Sequence, residues 1–175
     1  MQNVATTVIA LILAVVLILV IPLMTLTERN DNVTQEKVSQ IVQEFVTDVR
    51  NTGTITKAKY QNLESELSTT GNTYDIGLEF QILDENPGKK NEQANYTKIG
   101  ENVYYTEYTS QILDKLNAEE GKITLKQGDF IKVEVKNENS TAAQTLKSSL
   151  LNFFGGDQYA ISATSSGMID VNAAQ

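Results

Sequence analysis

Between Val4 and Leu26 the chain carries no charged side chain, and the seventeen residues Val8–Met24 (VIALILAVVLILVIPLM) are apolar without a break. A helix rises about 1.5 Å per residue, so roughly twenty residues cross the ~30 Å hydrocarbon core of a bilayer. The 23 residues Val4–Leu26 are long enough to span it. A core helix that is apolar on every side needs a large protein about it, and this chain has only 175 residues. A cleaved secretory signal wants a basic start, an apolar core of about 7–15 residues and a small-residue cleavage site. Met1-Gln2-Asn3 holds no Lys or Arg, the apolar run is longer, and Ile21-Pro22-Leu23 is a poor site. Residues 1–27 therefore read as a retained transmembrane anchor in contact with lipid.

Pro22 lacks a backbone donor and crowds the turn before it. This predicts a kink or loosening around Ile18–Pro22, unless the nearby helix end accommodates the ring. Ala10 and Ala14, four apart, share one helix face and permit close approach of a neighbouring helix. Orientation is weakly encoded, because no charge precedes Glu28 and the nearest cations are Arg29 and Lys37. The remainder is acidic (net charge −8) and rich in Asn, Thr and Tyr, which suits an extracytoplasmic C-terminal domain.

After a charged stretch at Thr27–Asp31, apolar residues recur at Val38, Ile41, Val42, Phe45, Val46 and Val49. Spacings of three and four define one helical face, and Asn51-Thr52-Gly53 supplies a stop with glycine at the left-handed position. Residues 28–53 thus form an amphipathic helix. Nothing obligatory interrupts it from the anchor, so one rod of about fifty residues, ~75 Å long, is expected. Val38, Val42, Phe45 and Val49, together with Ala10, Ala14, Ile18 and Pro22, are the candidate packing residues of this rod.

Residues 54–175 read as an α+β head in which a small antiparallel sheet packs on the long helix. Thr56 caps a short helix, with Ile55 and Tyr60 placed as a hydrophobic staple and Tyr60, Leu63 and Leu67 on one face. The period then changes to two. Tyr74, Ile76, Leu78, Phe80 and Ile82 alternate with polar residues and glycine, the mark of a half-buried strand. Asp84–Lys90, with Pro87-Gly88 inside, is a loop. Tyr96–Tyr105 is read as a strand, and Ile112, Leu113 and Leu116 as a short helix ended at Ala118–Gly121. Phe130–Val135 is a second alternating strand reached through Ile123 and Leu125, followed by a turn at Asn137–Ser140. Leu146, Leu150 and Phe153 mark a helix ending at Gly155-Gly156. Tyr159, Ile161 and Ala163 give a last strand, continued by Met168–Val171.

The chemistry is defined mostly by what is missing. The chain has no cysteine and no histidine, which removes thiolate nucleophiles, Cys-ligated metals and the usual base near neutral pH. The serines lack a histidine, and the adjacent Lys147-Ser148 do not meet on a helix. The acidic loop at Asp84 lacks the Asp-x-Asp spacing of a calcium site. An excess of acidic side chains argues against nucleic acid. No catalytic, cofactor or metal site is expected. Tyr104, Tyr105 and Tyr108 are expected to lie flat on a sheet face with hydroxyls at the rim. Asn32-Val-Thr34, Asn95-Tyr-Thr97 and Asn139-Ser-Thr141 match the N-glycosylation acceptor pattern.

An apolar segment entered almost at once, interrupted at Pro22 and continued into an amphipathic helix and an α+β head, resembles type IV pilin-like proteins. The opening Met1–Thr25, with Thr6-Thr7 before Ile9-Ala-Leu-Ile-Leu and Ile21-Pro-Leu at its end, is similar to small membrane-anchored proteins of Tad-type pilus or conjugation-like loci of Gram-positive bacteria. The family usually carries a glutamate near the start of the apolar segment, where this chain has Ala5, Thr6 and Thr7, and no basic leader precedes the run. The resemblance therefore implies a minor pilin-like or assembly component rather than a shaft-forming subunit. The implied partners are identical or related anchored subunits and assembly platform proteins. The alternative is a membrane-tethered extracytoplasmic binding module that does not polymerise.

Overall fold

The computed structural model describes residues 2–84, 104–118, 120–151 and 160–171. Helix α1 runs from Gln2 to Thr52 as one element of 51 residues, about 76 Å long at 1.5 Å per residue. It is helical through Pro22 and through the charged stretch Thr27–Asp31, so the chain has no break where the proline predicted loosening. The ring removes one donor from a ladder that its neighbours keep intact. Gly53, at φ 62°, ends the helix, and its N–H donates to the Val49 carbonyl at 2.7 Å.

The head is built on the C-terminal half of α1, in the order β1 (Thr54–Thr56), α2 (Lys57–Ser68), β2 (Tyr74–Leu83), β3 (Tyr104–Tyr108), α3 (Thr109–Asn117), β4 (Lys122–Thr124), β5 (Phe130–Asn137), α4 (Ala142–Leu151) and β6 (Ser162–Met168). The fold is α+β. A four-stranded antiparallel sheet has the order β3-β2-β5-β6, and β1 pairs with β4 in a separate two-stranded ribbon. Thr56 caps α2 by accepting from the Lys59 N–H at 3.2 Å, and Leu63 and Leu67 turn inward.

Alternation places the core. In the register of β2 with β5, Ile76, Leu78 and Phe80 face Val135, Val133 and Ile131, and all six are buried. In the next pair those β5 residues face Ala163, Ser165 and Gly167 of β6. Side-chain size thus falls from the sheet centre to the β6 edge, where α1 lies against the sheet. The space left by small β6 side chains is filled by the helix stripe. Val38, Ile41, Val42, Phe45, Val46 and Val49 are all buried, as are Ile55, Ile112, Leu116 and Leu125. Burying a Val, Leu or Phe side chain contributes roughly 1.5–3 kcal/mol each, so this seam is a main source of the head's stability.

The sequence expectations differ from the structure at a few elements. Strand β6 starts at Ser162, with Ile161 of the expected strand just before it, and Ile169–Val171 lie beyond its end, although Ile169 is still buried. The second alternating strand extends two residues past Val135 to Asn137. Of the strand expected at Tyr96–Tyr105, the part before Tyr104 lies outside the described residues, and β3 continues to Tyr108. Glu85–Lys90 of the expected loop, Asn95, Phe153, Gly155-Gly156 and Tyr159 also lie outside them.

Candidate functional site: the anchoring helix and its attachment to the head

Helix α1 has two halves with opposite environments. From Asn3 to Leu19 every residue is exposed, Ile18 by 70% and Leu19 by 68%. A core helix would be covered; here the most apolar window is 0% buried within the protein. This helix is long and apolar enough to cross a membrane. Ala10, Ala14, Ile18 and Pro22 all lie on this uncovered half. Its few hydroxyls are turned back on the helix: Thr7 donates to the Asn3 carbonyl at 2.7 Å, Thr25 to Ile21 at 3.1 Å, and Thr27 to Met24 at 2.9 Å. Back-bonding of this kind removes the cost of carrying an unpaired hydroxyl into hydrocarbon.

Val38, Val42, Phe45 and Val49 lie in the other half, facing the head's own sheet and helices. The head covers most of that stripe, and only its edge at Ile41 and Phe45 borders a groove beside α2. The apolar surface that α1 presents outward is its N-terminal half, with Val33, 64% exposed, about two turns above Leu26.

Polar side chains join helix and head. Gln35 pairs its amide with the main chain of Ser162, donating to the carbonyl at 2.6 Å and accepting from the N–H at 3.0 Å. Arg50, fifteen residues further along, donates Nε–H to the Met168 carbonyl at 2.8 Å and Nη2–H to Asp170 Oδ2 at 2.9 Å. Fifteen helical residues advance about 22 Å, and the six steps from Ser162 to Met168 advance about 20 Å. The two spans match. Strand β6 therefore runs parallel to α1 and is fastened to it at both ends. Gly167 leaves room for the upper fastening, because a Cβ there would lie 2.6 Å from Arg50 Cδ and displace that side chain.

A third fastening lies lowest on the helix. Asp31, buried although charged, accepts from the Thr141 hydroxyl at 2.6 Å. Thr141 also accepts from the Gln144 N–H at 3.2 Å, while its own N–H donates to Gln144 Oε1 at 3.0 Å. This reciprocal pair caps α4, and the carboxylate of Asp31 sits by the positive end of that helix. The sequence reading missed Asp31, Gln35, Arg50 and Gly167 as attachment residues. The Thr-x-x-Gln spacing of the cap was a readable signal; the long-range pairings leave no local pattern.

Other candidates resolve as structural. Asn139 accepts from the Thr73 N–H at 2.7 Å and donates to Asn72 at 3.1 Å, and Thr141 is buried, so this acceptor motif serves a turn. Asn32-Val-Thr34 lies within α1 with Thr34 buried. Tyr104 meets the expectation of sheet packing, its ring edge-on to Phe130 at 5.7 Å. Tyr105 and Tyr108 differ from it: they are 44% and 60% exposed on β3, which has no second strand neighbour among the described residues. Glu107 is buried beside them and ion-paired to Lys115. Burial, helped by the charges of Glu64 and Asp75, pushes the Tyr60 phenol up to about 12. Among the described residues no three carboxylates converge on a metal position. Comparison of the chain with known protein families, with curated proteins and with solved structures finds no match.

Proposed function

We propose that the chain is a single-pass, non-catalytic structural or assembly component of a cell-envelope filament or secretion apparatus, comparable to a minor pilin, with its head on the extracytoplasmic side. The observation that carries this reading is the division of α1: one continuous helix with an uncovered apolar half and a half built into an acidic head. Such a rod transmits the position of the anchor to the head without a flexible joint. Identical or related anchored subunits would meet through the anchor, where Ala10 and Ala14 allow close packing.

The closed stripe Val38–Val49 favours a second reading. With the valines of that face covered by the head, lateral helix-to-helix contact depends on the anchor and is weak. A tethered binding module that does not polymerise is built in the same way. Cysteine crosslinking distinguishes the two, and the chain offers a background without native cysteine. With cysteines at Ala10, Ala14 or Val33, the assembly reading gives crosslinked dimers or adducts with anchored neighbours in native membranes. Monomer at all three positions, with the neighbouring gene products present, favours the tethered module.

A further inference from the structure

Helices α1 and α2 do not close completely on one another. Between them lies a groove of about 410 Å³ whose floor is the outer edge of the core: Ile41, Phe45 and Leu63. Leu26, the last apolar residue of the anchor, precedes Ile41 by fifteen residues, about 22 Å of helix. Lipid acyl chains do not reach that height. The rim is acidic. Asp48 is neutralised by Lys59 at 2.6 Å, and that ammonium is also held by the Thr52 hydroxyl at 2.8 Å. Glu44 and Glu66 differ. Each accepts only from an amide one turn back, Gln40 and Asn62 respectively, at 2.7 Å, and neither has a cationic partner among the described residues. Two uncompensated carboxylates thus flank an apolar floor on an acidic protein.

We propose that this groove is a docking site for a segment of another protein that presents a Lys or Arg beside a bulky apolar side chain. The apolar side chain occupies the floor between Phe45 and Leu63, and the cation lies between Glu44 and Glu66. Charge complementarity selects this occupant, because an acidic or uncharged segment leaves both carboxylates unpaired, and it accelerates encounter. The inference does not depend on whether the anchors assemble, since the groove stands on α1 and α2 alone.

The test uses full-length protein in nanodiscs of uncharged phosphatidylcholine, with a short amphipathic Leu/Lys peptide as probe and Leu/Glu and Ser/Lys peptides as controls. The Leu/Lys peptide should bind and should shift the amide resonances of α1 and α2 around Phe45 and Leu63, with neither control matching it. Glu44→Gln with Glu66→Gln should weaken binding about tenfold or more, as expected for two lost charge contacts. Ala58→Trp, which fills the groove and leaves every charge in place, should weaken it similarly, while Glu134→Gln on the opposite sheet face should have no effect. Thermal unfolding of each variant confirms that the exposed substitutions leave the fold intact. Binding that survives Ala58→Trp, or that falls equally with Glu134→Gln, overturns the proposal as diffuse attraction. Self-association that Ala58→Trp abolishes overturns it in favour of a second copy.

Discussion

Gln35 holds Ser162 by both of that residue's main-chain polar groups, so a helix side chain stands where the next strand of the sheet would be. An unpaired strand edge is a hazard for aggregation, and covering it with a helix is one protection available. Here the cover is the same helix whose N-terminal half is long and apolar enough to cross a membrane. Each of the two hydrogen bonds contributes about 1 kcal/mol. Gln35→Leu should therefore lower the unfolding free energy by roughly 1–2 kcal/mol, measured by denaturant titration in detergent. Hydrogen exchange at the Ser162 end of β6 should rise more than at β2.

The upper end of β6 offers a coupled test. Gly167→Ala drives a methyl into Arg50 Cδ and Nε, which lie 2.6 and 2.7 Å from the new atom. The arginine must leave Met168 and Asp170. Gly167→Ala should destabilise the wild type, yet be nearly neutral once Arg50→Ala has removed the obstacle. A double-mutant cycle should give a coupling of about 1 kcal/mol or more. Additivity would mean that the two residues do not meet.

The stripe on α1 belongs to the head, so substitutions in the two halves of the helix should separate. Val42→Ala leaves a cavity among buried neighbours and should cost on the order of 2 kcal/mol in head unfolding. Ala10→Leu, exposed on the uncovered N-terminal half, should leave head unfolding unchanged. Equal effects on head stability would contradict the division of the helix.

Register within the sheet is tested by charge. Phe80 is fully buried, whereas its neighbour Glu79 lies on the other face beside Lys132 at 3.7 Å. Phe80→Asp should destabilise by several kcal/mol through an unpaired buried charge, and Glu79→Gln by well under about 1 kcal/mol.

Which of these features could be read beforehand follows from their physical range. The stripe Val38–Val49 and the alternation Ile76-Leu78-Phe80 are local repeats, because one face of each element meets a continuous core. Strand β6 breaks that rule. Its inward positions are Ala163, Ser165 and Gly167, small because α1 lies close, and small residues carry no hydrophobic alternation. The apolar signal therefore sat on Ile161, just ahead of the strand, and on Ala163, its second residue. Gln35 and Arg50 look like ordinary polar residues of a solvated face. Their roles exist only because Ser162 and Met168, over a hundred residues away in the chain, return to them.

Tyr60 sets an alkaline limit. Its folded pKa of about 12 lies above the ordinary value of 10, chiefly through burial, so the neutral phenol is favoured in the folded state. The stabilisation is complete below pH 10 and is lost as the pH rises from 10 towards 12, where the unfolded chain ionises first. The melting temperature should fall over that window, and Tyr60→Phe should fall less. An identical decline in both proteins would place the alkaline loss elsewhere.

The account rests most heavily on the uncovered half of α1 as a membrane-spanning segment. Extraction of membranes carrying the full-length protein with alkaline carbonate measures this directly, since it strips proteins held by surface charge and leaves those held by about twenty apolar residues in hydrocarbon. The protein should remain in the membrane pellet. Its release into the supernatant with Val4–Leu26 still attached would contradict the account.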